Sequence, residues 1–249
     1  MHEYEAEIAT TEGAMDTFVC HPDEGGPFPT VVMYMDAPAI REELRDMARR
    51  IATVGYHVLL PNLYYRTGRE GGYGFDLSRI RDGDDESAKM IAVMNTLTNA
   101  RIVADTEALL DFVRGAEAAA GGPMGCVGYC MSGQFVVSVA AAYPDAFAAI
   151  ASYYGVGLIT EADDSPHLAA ERIAGELYLA FASEDSYVPQ SIVDALPATL
   201  SAAGVAHRVE IYPDTEHGFA FPERDAYNKP AAERHWERMF ALFDRRLRA

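Results

Sequence analysis

Cysteine is scarce in this chain: three residues in 249, at positions 20, 126 and 130. An odd number with no C-x-x-C or metal-ligand spacing excludes a disulfide framework and a zinc site, and it suits a reducing compartment. Basic residues are also few. Twenty Lys and Arg stand against 38 Asp and Glu, for a formal net charge of −18 and a pI near 4.7. That balance excludes nucleic acid and an anionic membrane as partners. An anionic substrate would need a local cluster of arginines. No apolar run is long enough to span a bilayer, and the first residues, Met1 to Glu7, lack the basic and apolar regions of a secretory signal. The expected setting is the cytoplasm, and the expected assembly a monomer or homodimer.

What is present reads as one α/β domain over residues 1–249, doubly wound around a mostly parallel sheet. Residues 3–9 and 15–20 alternate polar and apolar around Thr11-Glu-Gly13, the pattern of an antiparallel hairpin. Cys20 ends its second strand, a structural position. Thr30 to Met35 is a continuous apolar strand of the buried kind. An amphipathic helix follows over about 40–54, stopped by Gly55, and then a strand over 56–60 closed by Pro61. This is the β-α-β unit of a parallel sheet. Residues 62–86 carry no period, which in a compact domain marks a functional loop or lid. Helices are expected over about 87–97, 99–119, 166–173, 190–203 and 230–247, and strands over 146–153, 176–181 and 207–212.

The chemistry centres on Pro123 to Gln134. A short apolar run ends in Gly128, Tyr129 and Cys130 and passes directly into Met131-Ser-Gly133 and an apolar-periodic helix. A nucleophile at the apex of such a strand-to-helix turn sits in strained backbone, with small residues two before and two after. Gly128 and Ser132 take those places; the usual pattern has Gly at the second, and here Gly133 comes one later. The turn points the first helix N–H groups, beginning with that of Met131, at whatever Cys130 attacks. Taken alone, the motif also suits an inert buried cysteine.

A thiol nucleophile needs a base within hydrogen-bond reach and a group to orient that base. On an open parallel sheet these come from loops at the carboxyl ends of strands. The strand over 176–181 is followed by Glu184 and Asp185, and the strand over 207–212 by His217. The order nucleophile, acid, histidine is that of a triad built on a hydrolase sheet. A lone acid or histidine in such a loop is more often a turn former or surface group. The joint arrangement is what argues for Cys130, His217 and one of the two acids.

These residues carry a resemblance. The chain resembles the dienelactone hydrolases, cysteine hydrolases of the α/β-hydrolase superfamily, through Pro61-Asn-Leu-Tyr64, Gly128-Tyr-Cys130, Tyr153 to Leu158, Glu184-Asp185 with Val188-Pro189, and Glu216-His217-Gly-Phe219. The resemblance implies an α/β-hydrolase fold and selects Asp185 as the triad acid. It implies the backbone N–H of Ala37 as a second oxyanion donor beside Met131. It places Tyr64, Arg81, Tyr154 and Phe219 around a substrate pocket. It also implies that Asp36, standing where the family commonly has Glu, gates the resting thiol; a residue leading into the following helix is the plain alternative. Members acting on dienelactone hold its carboxylate with arginines, one of them four residues after the histidine. Here that place is Phe221, and Arg79, Arg81 and Lys89 are the candidates for the other.

The expectation is therefore a carboxylic-ester or lactone hydrolase of dienelactone hydrolase type, with Cys130, Asp185 and His217 catalytic. The substrate is a small ester or lactone, and neither a metal nor an organic cofactor is implied. The rival from another class keeps the fold and uses Cys130 as a redox sensor or ligand-binding thiol.

Overall fold

The alternating and apolar runs form strands, and the 3.6-period segments form helices, in the computed structural model, which describes residues 1–80 and 83–248. The chain divides into two compact units, Met1–Ala120 and Gly121–Ala249.

The first unit holds β1 (His2–Thr10), β2 (Gly13–His21), β3 (Thr30–Tyr34) and β4 (His57–Pro61), in the order β1-β2-β4-β3. The hairpin pairs antiparallel from His2 with His21 to Thr10 with Gly13, β2 continues antiparallel onto β4, and β3 runs parallel to β4. β3 and β4 are buried along their whole length, so they show continuous apolar runs and not alternation. Helix α1 (Glu42–Thr53) buries Leu44, Met47, Ala48 and Ile51. Helices α2 (Asp85–Met94) and α3 (Asn99–Gly115) follow, each started by a side-chain cap, from Asp84 and Thr98 respectively.

The segment without a period, 62–86, is packed at its start. Asn62 donates to Asp16 Oδ1 and to Gly68 O, both at 2.9 Å, and accepts from the N–H of Tyr64. Tyr64, Tyr73 and Phe75 are buried against one another with ring centroids 5.7 to 6.5 Å apart. Arg81, expected at the substrate pocket, lies outside the described residues.

This unit also buries a histidine. His57 is fully buried, with Thr30 Oγ1 3.2 Å from Nδ1, the His21 ring 5.9 Å away and no hydrogen-bond partner for Nε2. Burial, and then the neighbouring His21, push its pKa down to about 4. The folded form holds this ring neutral while the unfolded chain takes up a proton. Its contribution is whole above about pH 6.5 and falls away as the pH drops towards 4, by about 3 kcal/mol. Urea midpoints of the wild type should fall over that interval more than those of His57→Phe; equal pH dependence would remove His57 as the cause.

The second unit is all-parallel: β5 (Met124–Tyr129), β6 (Phe147–Tyr153), β7 (Glu176–Glu184) and β8 (His207–Glu216) lie side by side in chain order. Helices α4 (Ser132–Ala142), α5 (Gln190–Ala202) and α6 (Lys229–Leu247) are its crossovers and terminus. The helix expected over 166–173 is a 3-10 helix, Pro166–Arg172. Strands β7 and β8 run several residues past their apolar stretches. Ser183 and Thr215 tie the extensions together, each exchanging side-chain and backbone hydrogen bonds with the other.

Candidate active site

Each of the four parallel strands of the second unit ends one residue before a group of interest. Tyr129 is followed by Cys130, Tyr153 by Tyr154, Glu184 by Asp185 and Glu216 by His217. The carboxyl rim of this sheet thus gathers residues separated by up to 87 positions in the chain.

At the first strand end the backbone turns sharply. Cys130 has φ 53, a left-handed conformation that a non-glycine residue adopts only when its surroundings hold it there. The holding contacts are visible. Its N–H donates to Tyr153 O at 3.2 Å, and its C=O accepts from the N–H groups of Gly133 at 3.1 Å and Val156 at 3.0 Å. A Cβ at position 128 would lie 2.4 Å from Ser132 O, so only glycine fits where strand and helix meet. Ser132 is itself fully buried, and the second obligatory glycine is Gly133, where a Cβ would lie 2.2 Å from Gly155 Cα. Gly133→Ala should cost about 3 kcal/mol, because backbone must move away from backbone. A urea midpoint within error of wild type would contradict this.

The three cysteines separate by environment. Burial pushes the thiol of Cys20 up to about 12 and that of Cys126 well above the usual range, which keeps both protonated at neutral pH. Cys130 is the one that is not fully buried.

At the third and fourth strand ends an acid and a histidine meet. His217 Nδ1 donates to Asp185 Oδ2 at 2.8 Å. The other carboxylate oxygen, Oδ1, accepts from the N–H of Tyr187 at 2.9 Å and of Val188 at 3.3 Å. The carboxylate is therefore fixed in place and can only accept, which sets the proton of a neutral His217 on Nδ1 and leaves Nε2 as the basic atom. Nε2 is buried and makes no hydrogen bond of normal geometry. Burial on its own would push this imidazole down. The bond to Asp185 and the neighbouring Cys130 sulfur outweigh it and raise the pKa to about 9. Glu184, the other candidate acid, ends β7 as an exposed residue opposite Glu216.

Aromatic rings surround the imidazole. The Tyr154 ring lies 4.9 Å from it and that of Tyr187 4.7 Å, while Phe219 packs edge-on against Tyr154 at 5.1 Å. Tyr154 and Phe219 are fully buried, and Tyr187 is 58% exposed. Tyr154 has φ 40, a strained position like that of Cys130. Phe221, where an arginine would bind a substrate carboxylate, is buried against Tyr129 and Tyr154. Tyr187 was not foreseen from sequence; its position two residues after Asp185 was the available signal.

The remaining expected residues belong to the first unit. The Asp36 carboxylate is buried and gripped by Arg41 at 2.6 and 3.1 Å, and Arg41 also binds Glu43 at 2.7 Å. Tyr64 donates its hydroxyl to the carbonyl of Ala37 at 2.9 Å. Among the described residues, no group of three or more His, Cys, Asp or Glu is placed to hold a metal ion. No described helix is long and apolar enough to cross a membrane.

With this geometry in view, the sequence matches the profile of the Dienelactone hydrolase family over residues 15–247. The chain belongs to that family. It is 26% identical over 234 residues to a Synechocystis protein named "Putative carboxymethylenebutenolidase", covering 93% of this chain and 92% of that one. An Escherichia coli K12 protein of the same name is 28% identical over 225 residues, 88% of this chain and 77% of that one. The fold is shown by a Klebsiella pneumoniae structure described as a "Putative Dienelactone Hydrolase". Its TM-score is 0.85 at 23% identity, over 97% of this chain and 98% of that one. The fold is thus that of the α/β hydrolases, and as a member of the dienelactone hydrolase family the protein is a hydrolase acting on ester bonds.

Proposed function

We propose that this protein hydrolyses a small carboxylic ester or lactone through a thioester on Cys130. The observation that carries the reading is the Asp185–His217 hydrogen bond at 2.8 Å, made at the ends of the same parallel strands whose first member leads into Cys130. In the first half-reaction the Cys130 sulfur, its proton passed to His217 Nε2, bonds to the carbonyl carbon. The carbonyl electron pair moves onto oxygen, and the Met131 N–H at the start of α4 stabilises that oxyanion. Collapse breaks the carbon–oxygen bond, and Nε2 returns its proton to the departing alkoxide. In the second half-reaction His217 takes a proton from water, the hydroxide displaces sulfur, and carboxylic acid and thiol are released. Asp185 holds the imidazole in the productive tautomer and stabilises it while charged.

The substrate need not carry a carboxylate. Phe221 is apolar and buried where the family resemblance implies an arginine, and the chain as a whole is strongly anionic. A panel of lactones and esters, each with and without a free carboxylate, tests this. Neutral members should be turned over at least as well as their carboxylate counterparts. A strong preference for the carboxylate forms would overturn the substrate assignment, and no turnover of any member would overturn the hydrolytic reading itself.

A further inference from the structure

Tyr187 touches the acid–histidine pair in two ways. Its backbone N–H donates to Asp185 Oδ1 at 2.9 Å, and its ring centroid lies 4.7 Å from that of His217. The His217 side chain is only 14% exposed, whereas Tyr187 is 58% exposed. The other ring against the imidazole, Tyr154, has no exposed surface left. An aromatic ring held beside a catalytic base with more than half its surface open has area still to be covered.

From this arrangement we infer that Tyr187 is a specificity-determining residue, a flat wall for the leaving group of the ester, and that it favours planar aromatic alcohols over saturated ones. The inference rests on the proposed acyl transfer. In that step the departing oxygen receives its proton from His217 Nε2, so it comes within hydrogen-bond reach of the ring that Tyr187 lies against. Whatever that oxygen carries must pass beside the imidazole. Tyr154 is covered already, whereas Tyr187 offers exposed aromatic surface next to His217 that a leaving group can cover. Planar groups gain from ring–ring contact there, and puckered rings of similar size gain less. The Tyr187 N–H that steadies Asp185 belongs to the backbone and survives side-chain replacement, so the two contributions of this residue can be separated.

The test compares benzyl acetate with cyclohexylmethyl acetate, which share an acyl group and have primary-alkoxide leaving groups of similar size. In the wild type kcat/KM should favour the benzyl ester by about tenfold, the scale of one aromatic contact. Tyr187→Phe should keep that ratio. Tyr187→Leu should bring it close to one, with the change mostly in the benzyl ester. A ratio unchanged in Tyr187→Leu, or an equal loss on both esters, would make the residue structural and overturn the inference while leaving the hydrolytic reading intact. Failure of the wild type to hydrolyse either ester, nor any of the lactone and ester panel, would instead overturn that reading and this inference with it.

Discussion

Replacing Cys130 by Ala should lower ester hydrolysis by about 10⁴-fold or more while leaving the fold in place. The expectation follows from how the residue is held. The strained φ of 53 is imposed by three backbone hydrogen bonds and by Gly128 and Gly133, none of which involves the sulfur. Alanine can occupy the same backbone, so activity is lost for want of a nucleophile and not through collapse of the elbow. An unchanged urea midpoint alongside the lost rate is the expected pair of results. Substantial turnover by Cys130→Ala would mean that the chemistry is carried by another group. Cys20 and Cys126 are poor replacements, since burial keeps both protonated.

The second large effect is expected of Asp185→Asn, at about 10³- to 10⁴-fold in kcat, the scale of a triad histidine held in the wrong tautomer. The two backbone N–H groups of Tyr187 and Val188 will draw the amide oxygen to their side, as they now hold Oδ1. The amide NH2 then faces His217 Nδ1 and donates to it. That places the ring proton on Nε2, the atom that must accept one from the thiol. The same variant should change how His217 titrates. In the wild type its pKa is raised to about 9, burial opposing the rise, with the hydrogen bond to Asp185 the largest single favourable influence and the Cys130 sulfur adding to it. The charged ring therefore stabilises the folded state fully below about pH 6.5, and that stabilisation, about 3 kcal/mol, is lost as the pH rises through 9. Proton NMR of the His217 ring should show a midpoint near 9 in the wild type and a clearly lower one in Asp185→Asn. The same midpoint in both would break the link between the carboxylate and the imidazole.

Much of this was legible in the sequence wherever a period or a close spacing carried it. The first strand of the hairpin alternates, with Glu3, Glu5 and Glu7 exposed and Ile8 buried, and β3 and β4 show continuous apolar runs because every residue in them is buried. The strand-to-helix elbow shows in Gly128, Cys130 and Gly133 because backbone there approaches backbone. Other features depend on contacts that leave no period. The ends of β7 and β8 are held by Ser183 and Thr215 through side-chain to backbone bonds, so these strands continue beyond the apolar residues that announce them. Tyr64, Tyr73 and Phe75 sit at irregular spacings in 62–86 and meet only after the segment folds back on itself. Asp36 was readable as a carboxylate before a helix. Its grip by Arg41 was not, because it depends on a turn through Ala39 at φ 74. Tyr187 was hidden for a related reason: the sequence placed Asp185 and His217 in different loops but not the ring that would lie against the second.

The most direct test of the account is to trap the thioester. The wild-type protein, mixed rapidly with an activated acetate ester and quenched in acid, should show a burst of about one equivalent of released alcohol per active chain. The protein should gain the mass of one acetyl group, on the peptide that contains Cys130. Asp185→Asn should accumulate that adduct more slowly, and Cys130→Ala should not form it. Hydrolysis that proceeds with no acyl group on Cys130 at any time point, or with the acyl group on another residue, would contradict the account.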